Sequence, residues 1–313
     1  MMFRRLALIG TGLIGGSLAL ALRERGEVGE VVGYARRLET RLAAERHGLI
    51  DRPVDSIAAA VDGADLVFLA TPVKAMDVVF DELADCLPAD ALVTDGGSVK
   101  GAVVERARAR LSPGQLARFI PGHPIAGRER SGPGAATAEL YRGQRVILTP
   151  IEVNRDEDVA RIEAMWQAVG AQVEQLGVAH HDHVLAATSH LPHAAAFAMV
   201  SALARLAERY EVFRYAAGGF RDFTRIASSD PVMWRDICLD NRDEILVMLD
   251  HYRHELDGLR GMLDAGDGGR IEQYFSEAKA VRDALYPAAQ IDRQPRNLAR
   301  NLAGDQINGS DGQ

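Results

Sequence analysis

The segment Leu6–Gly15, LALIGTGLIG, constrains what this chain can fold into more than any other. Leu6–Ile9 is a short apolar run of strand type, glycines fall at 10, 12 and 15, and SLALALRERG follows with helical spacing. A G-x-G-x-x-G spacing is weak by itself, but between a strand and a helix it is a dinucleotide-binding signal. The first glycine allows the tight turn, the second lets backbone approach a pyrophosphate, and the third lets helix pack on strand, with the helix N-terminus facing the anion. The candidate cofactor-binding residues are therefore Gly10, Thr11, Gly12, Leu13, Ile14 and Gly15. The competing reading is a glycine-rich turn that holds nothing.

Strands and helices then alternate. Val31–Tyr34, Asp65–Ala70, Ala91–Thr94, Phe119-Ile120, Arg145–Thr149 and Gln172–Gln175 read as strands, with helices over 73–86, after Gly101 and through Trp166. Such alternation predicts an α/β fold with a doubly wound, Rossmann-type parallel sheet, whose ligands sit beyond the carboxyl ends of the strands. Thr71, Pro72, Ser98 and His123 all follow predicted strands and could line one crevice, Thr71 and Pro72 on the cofactor side. At the end of the second strand an NAD site wants an acidic residue for the ribose 2′-hydroxyl. Ala35-Arg36-Arg37 stands there instead, which suits a 2′-phosphate and favours NADP over NAD. The alternative is that Arg36 and Arg37 simply open an exposed helix.

After Gly177 strand signals vanish. His180–Glu208, Met233–Met262 and Arg270–Tyr286 carry helical periodicity, with an interruption at Pro192. The expected organisation is a dinucleotide-binding domain over 1–177, an all-helical domain over 178–290, and a polar, disordered tail over 291–313. A net charge of −8 removes the usual footprint of nucleic-acid binding. Cys86 and Cys238 form no CxxC pair, which argues against a disulfide framework and suits a reducing cytoplasm. No run of apolar residues is long enough to span a bilayer, and the N-terminus is a poor signal peptide, so no membrane partner is expected.

Chemistry concentrates in three places. IPGHPIAGRERSG (120–132) holds His123 between glycine and proline. Taken alone it is as well read as a turn residue. His180-His181-Asp182-His183 precedes Ser189-His190-Leu191-Pro192-His193, where His190 and His193 share a helical face if the helix runs through Pro192. No HExxH motif is present, so no metal site is expected over ordinary hydrogen-bonded histidines. The third stretch, 218–231, reads as a long ordered loop from its glycines, serines and proline, and in it Arg225 sits among apolar neighbours and wants an anion, either a ligand or an internal partner such as Asp222 or Asp236.

Five motifs in order, GTGLIGGSLA, DGGSVKG, GHPIAG, HDHVLAATSHLPH and GGFRDFTRIASSDPVMW, resemble those of the prephenate dehydrogenases, which include arogenate and cyclohexadienyl dehydrogenases of tyrosine biosynthesis. The resemblance covers about residues 5–287. It implies a dinucleotide domain followed by a helical domain that forms a homodimer, and prephenate or arogenate as the small-molecule substrate. It implies that His123 pairs with the substrate's ring hydroxyl, and that Ser98 lies near that hydroxyl and the nicotinamide. His193 and Ser189 would help form the pocket, Asp182 would stand behind it in an ionic network, Arg225 would bind a carboxylate, and Trp234 would wall the pocket. Many members carry Thr or Ser and then an acid after GHPIAG; here Arg128 precedes Glu129, adding charge and bulk beside the pocket. Two other readings share the glycine motif: a β-hydroxyacid or imine-type dehydrogenase, for which Lys279 is the one lysine in the helical domain, and a non-catalytic nucleotide-binding regulator.

Overall fold

The buried side chains of β1 (Phe3–Ile9) alternate between two cores. Leu6 and Leu8 pack into one, with Phe68 and Trp166, while Ala7 and Ile9 pack into the other, with Phe80 and Phe119. A strand buried on both faces belongs inside a parallel sheet covered by helices. The computed structural model describes residues 1–127, 130–207 and 211–286.

β1 is central in a six-stranded sheet with β2 (Val28–Tyr34), β3 (Arg52–Val54), β4 (Leu66–Leu69), β5 (Leu92–Asp95) and β6 (Phe119–Ile120). The order is β3-β2-β1-β4-β5-β6 and every pair is parallel, so the order reverses between β1 and β4. Such a reversal opens a crevice at the carboxyl ends of those strands. The connecting helices are α1 (Leu13–Glu24), α2 (Leu38–Arg46), α3 (Ile57–Val61), α4 (Met76–Cys86), α5 (Lys100–Arg110), α6 (Pro113–Leu116) and α7 (Asp156–Ala168).

Arg145–Thr149 and Gln172–Gln175 do not extend this sheet, as their spacing predicts. A second sheet forms from β7 (Gly122–Pro124), β8 (Arg145–Leu148) and β9 (Gln172–Gln175), with β7 antiparallel to β8. Pro121 separates β6 from β7: it has no N–H for a ladder, while its carbonyl accepts from Thr149 at 2.9 Å. His123 is therefore a strand residue paired with Ile147, not a turn residue.

The helical part begins with α8 (Val178–Leu185), a π turn at Ala186–His190 and α9 (Leu191–Ala207). The predicted break at Pro192 is thus a local widening: helical backbone runs unbroken from α8 through the π turn into α9, and the wide turn lies immediately upstream of the proline, whose ring and missing N–H would disturb regular α-type bonding there. The stretch expected as a loop folds into α10 (Gly218–Thr224) and a 3₁₀ turn at Arg225–Ser228. Asp230 then caps α11 (Pro231–Asp240), accepting from Val232 N at 2.7 Å, with Pro231 at the first helical position. The helix expected over Met233–Met262 breaks at Asn241, and α12 (Arg242–Asp264) follows.

The chain divides into two compact units, Met1–Leu249 and Asp250–Gln313. In the second, Gly266 takes a positive φ of 63° to turn the chain, and Asp267 caps α13 (Gly268–Leu285) by accepting from Arg270 N at 3.1 Å. The tail expected over 291–313 lies outside the described residues. No helix among the described residues is long and apolar enough to cross a membrane.

Candidate active site

The glycine turn behaves as its spacing predicts. Gly10 has φ +104°, and a Cβ there would meet the Ala70 carbonyl oxygen at 2.4 Å. A Cβ on Gly15 would meet the Gly10 carbonyl at 2.2 Å, so the helix lies tight on the turn. Gly12, the N-cap of α1, has open space where its Cβ would stand and no side-chain cap. Leu13 and Ile14 begin the helix, and the Tyr141 hydroxyl holds the Ile14 carbonyl at 2.5 Å. Thr11 and Thr71 each bring a buried hydroxyl without a protein partner to this end of the sheet. A helix start without a side-chain cap, free space above Gly12 and two unpartnered hydroxyls fit a dinucleotide phosphate. Thr71 and Pro72 follow β4 directly. Gly10 N donates to Tyr34 O at 2.9 Å, so the chain leaves β2 beside the glycine turn, and the exposed Arg36 and Arg37 follow at once.

A buried ion pair lies beneath His123. Asp95, at the end of β5, accepts from Gly97 N at 2.8 Å and Gly122 N at 3.0 Å, and pairs with Lys100. Lys100 Nζ also donates to the Gly122 carbonyl at 2.7 Å. Both side chains are fully buried. Burial pushes the Lys100 pKa down, opposed by Asp95. Both backbone groups of Gly122 are thus clamped, and the next residue is His123. Ser98 occupies the bend between β5 and α5, half-buried.

His123 Nδ1 is 2.9 Å from Nε2 of His181, whose Nδ1 is 2.7 Å from Asp182 Oδ1. Asp182 in turn accepts from the first amides of α5, Lys100 N at 2.8 Å and Gly101 N at 2.7 Å. Burial, then His181, Lys100 and His190, hold the His123 pKa well below its ordinary value, so the ring is neutral at physiological pH.

Further along, Asn241 donates to His190 Nδ1 at 3.0 Å and to the Asp182 carbonyl at 2.8 Å. Burial lowers the His190 pKa to about 4. His193 donates from Nδ1 to the Ser189 carbonyl at 2.9 Å and stacks on Trp234 with centroids 3.6 Å apart. Trp234 is buried against Val99, and its indole N–H has no protein partner. Arg225 is exposed on its 3₁₀ turn; burial lowers the His193 pKa, and the Arg225 charge adds to that effect. Arg128 and Glu129 lie outside the described residues. Among the described residues no group of three or more His, Cys, Asp or Glu is arranged to hold a metal ion.

The structure thus joins His123 to Asp182 through a residue that sequence reasoning passed over, His181, and stacks His193 on Trp234. It also adds Asp95, Lys100 and Asn241. Lys100 carried a signal: lysine occurs only at 74, 100 and 279 in an arginine-rich chain, and Lys100 begins a helix just after a strand. Lys279, by contrast, is exposed on α13 and paired with Asp283.

Residues 18–175 match the family described as prephenate dehydrogenase, nucleotide-binding domain, and residues 178–277 match prephenate dehydrogenase, dimerization domain. The chain is 38% identical over 285 residues to a cyclohexadienyl dehydrogenase of Zymomonas mobilis, covering 90% of this chain and 96% of that one. It is 38% identical over 280 residues to a prephenate dehydrogenase of Bacillus subtilis, covering 89% of this chain and 75% of that one. A crystal structure of prephenate dehydrogenase from Aquifex aeolicus, in complex with hydroxyphenyl propionate and NAD+, superposes with a TM-score of 0.85 at 37% identity, over 90% of this chain and 98% of that one.

Proposed function

The chain belongs to the prephenate dehydrogenase family, and from that premise we propose how its residues divide the work. The reaction is the oxidative decarboxylation of a cyclohexadienyl acid, prephenate or arogenate, giving 4-hydroxyphenylpyruvate or tyrosine in tyrosine biosynthesis. The observation that carries the residue assignment is the neutral His123 ring, seated on the clamped Gly122 and backed by His181.

When bound at the glycine turn, the nicotinamide nucleotide supplies the hydride acceptor. Hydride leaves the carbinol carbon, and the ring hydroxyl becomes a carbonyl as His123 takes its proton. The bond from the ring to its carboxylate then breaks. Carbon dioxide leaves, the electron pair stays in the ring, and the resulting phenolate oxygen recovers the proton from His123. The imidazole thus lends a proton position and ends unchanged, a task for a base that is neutral near working pH. Ser98 orients the hydroxyl. His193, flattened on Trp234, and Ser189 shape the pocket wall, and Asp182 supports His123 from behind. Arg225 holds a substrate carboxylate; a guanidinium grips a carboxylate with two parallel bonds.

We assign NADP as the preferred cofactor, because Arg36 and Arg37 leave β2 beside the glycine turn where an acidic residue would select NAD. We assign the helical domain to homodimer contact, which suits exposed Leu256, Leu263, Phe275 and Val281 on α12 and α13. Two free thiols, Cys86 and Cys238, suit a cytoplasmic enzyme.

The test is steady-state kinetics with prephenate and arogenate, each with NAD and NADP. His123→Asn is expected to lose about 10²–10⁴-fold in kcat with little change in substrate KM; turnover near wild type would remove His123 as the base. Replacing both Arg36 and Arg37 by Ser is expected to raise the KM for NADP and leave that for NAD unchanged. A wild-type preference for NAD would reject the NADP assignment.

A further inference from the structure

We propose that Asp182 and His181 form a fixed hydrogen-bond relay that sets the tautomer of His123, placing its proton on Nδ1 and leaving Nε2 bare toward the substrate. The proposal rests on His123 being the base and names the atom that acts.

An ionised carboxylate can only accept hydrogen bonds. Asp182 Oδ1 and Oδ2 accept the Lys100 and Gly101 amides, the first two residues of the eleven-residue helix α5, whose positive end favours the anion. Burial alone would raise the Asp182 pKa. The bond from His181 and those two amides outweigh it and keep the group below its ordinary value, so it stays charged. The third bond to Asp182 comes from His181 Nδ1 at 2.7 Å, and that nitrogen must therefore carry a proton.

His181 is fully buried, and burial, with Lys100 adding, lowers its pKa against the pull of Asp182. It carries one proton, and that proton is on Nδ1. Its Nε2 is bare and accepts. The atom 2.9 Å from it is His123 Nδ1, which must donate. A neutral His123 with a proton on Nδ1 has its lone pair on Nε2. Reversing the relay would require protonating Asp182 or adding a second proton to His181, and the surroundings oppose both.

The other groups facing His123 do not compete for its Nδ1. Lys100 Nζ is committed to Asp95 and the Gly122 carbonyl. His190 Nδ1 accepts from Asn241. When His123 takes the substrate proton, its Nδ1–H bond to His181 becomes charge-assisted and shorter, and the Asp182 charge stands one ring behind it. His181 and Asp182 are thus positioning residues: they touch neither substrate nor cofactor, yet they decide which nitrogen is basic. An analogous carboxylate-held imidazole in serine proteases loses about 10⁴-fold in kcat when its tautomer is wrong.

Nitrogen-15 NMR of histidine-labelled full-length enzyme tests this directly, with the His123 signals identified by their loss in His123→Asn. The expected result is a neutral His123 with a pyridine-type Nε2 and a protonated Nδ1; a proton on Nε2 would overturn the proposal. His181→Leu, which removes the acceptor but leaves Asp182 its two amides, is expected to lower kcat on the order of 10²-fold with substrate KM within about threefold. His181→Gln, which keeps an acceptor oxygen facing His123, is expected to recover at least tenfold of that loss. His181→Leu turnover within twofold of wild type, while His123→Asn is inactive, would reject the relay and leave the base assignment standing. Wild-type turnover in His123→Asn would reject the base itself and the relay with it.

Discussion

At the scale of single residues, the site is built from groups whose roles depend on their neighbours. A histidine between glycine and proline says little until its ring nitrogens are accounted for. In the fold, one of them faces His181, and the backbone of the preceding residue is held by a buried lysine and aspartate. Arg225 is a different case. It is exposed and its charge reaches His193, and the assignment to a substrate carboxylate uses the two parallel bonds a guanidinium can form. Arg225→Ala is therefore expected to raise substrate KM at least tenfold with kcat reduced less than about threefold, the pattern of lost ground-state binding. An unchanged KM in steady-state assays would remove the clamp role. The motif residues were legible in the chain. Their connections were not, because His123 and His181, or Lys100 and Asp182, lie far apart in sequence and meet only when α8 docks on α5.

At the scale of elements, the glycine turn separates fold from function. Gly10 and Gly15 are glycine because a side chain would strike backbone, whereas Gly12 has nothing near it. Gly12→Ala is expected to leave the melting temperature within about 2 °C of wild type and to raise the cofactor KM, since the new methyl stands where the phosphates approach. Gly10→Ala, with positive φ and a 2.4 Å contact to backbone, is expected to destabilise the protein by more than 2 kcal/mol, roughly the strain of a non-glycine residue plus a clash it cannot relieve. Equal melting temperatures for the two variants would contradict this division. The same scale explains the misread segments. The periodicity of Arg145–Thr149 and Gln172–Gln175 reports strands but not the sheet they join. That choice follows from Pro121, whose missing donor ends one ladder and lets β7 turn back against β8. The π turn before Pro192 likewise leaves no periodic trace, since it inserts a single wide turn into an otherwise helical run.

At the scale of the whole molecule, several imidazoles are buried neutral, and this links stability to pH. His123, His181, His190 and His193 all have pKa values below the ordinary histidine value. An unfolded chain binds protons on these rings below about pH 6.5 while the native state does not, so stability is full above that pH and falls as pH drops below it. For His190, whose value is lowered to about 4, the loss approaches about 2 kcal/mol at pH 5. A clear fall in melting temperature is expected between pH 7 and pH 5, smaller in His190→Gln, which has no ring to titrate. A melting temperature constant over that interval would contradict the buried neutral state.

Local chemistry was determined by the sequence itself: a glycine spacing set between a strand and a helix, apolar runs whose lengths separate strands from helices, and histidine and arginine motifs in one order. These signals are short-range, and a short-range signal survives in any context. What the tertiary structure alone decided was which distant residues meet. The Lys100–Asp95 pair, the Asp182 cap on α5 and the His181 bridge to His123 each need two elements packed together, and buried polar groups take the partners that packing brings within reach.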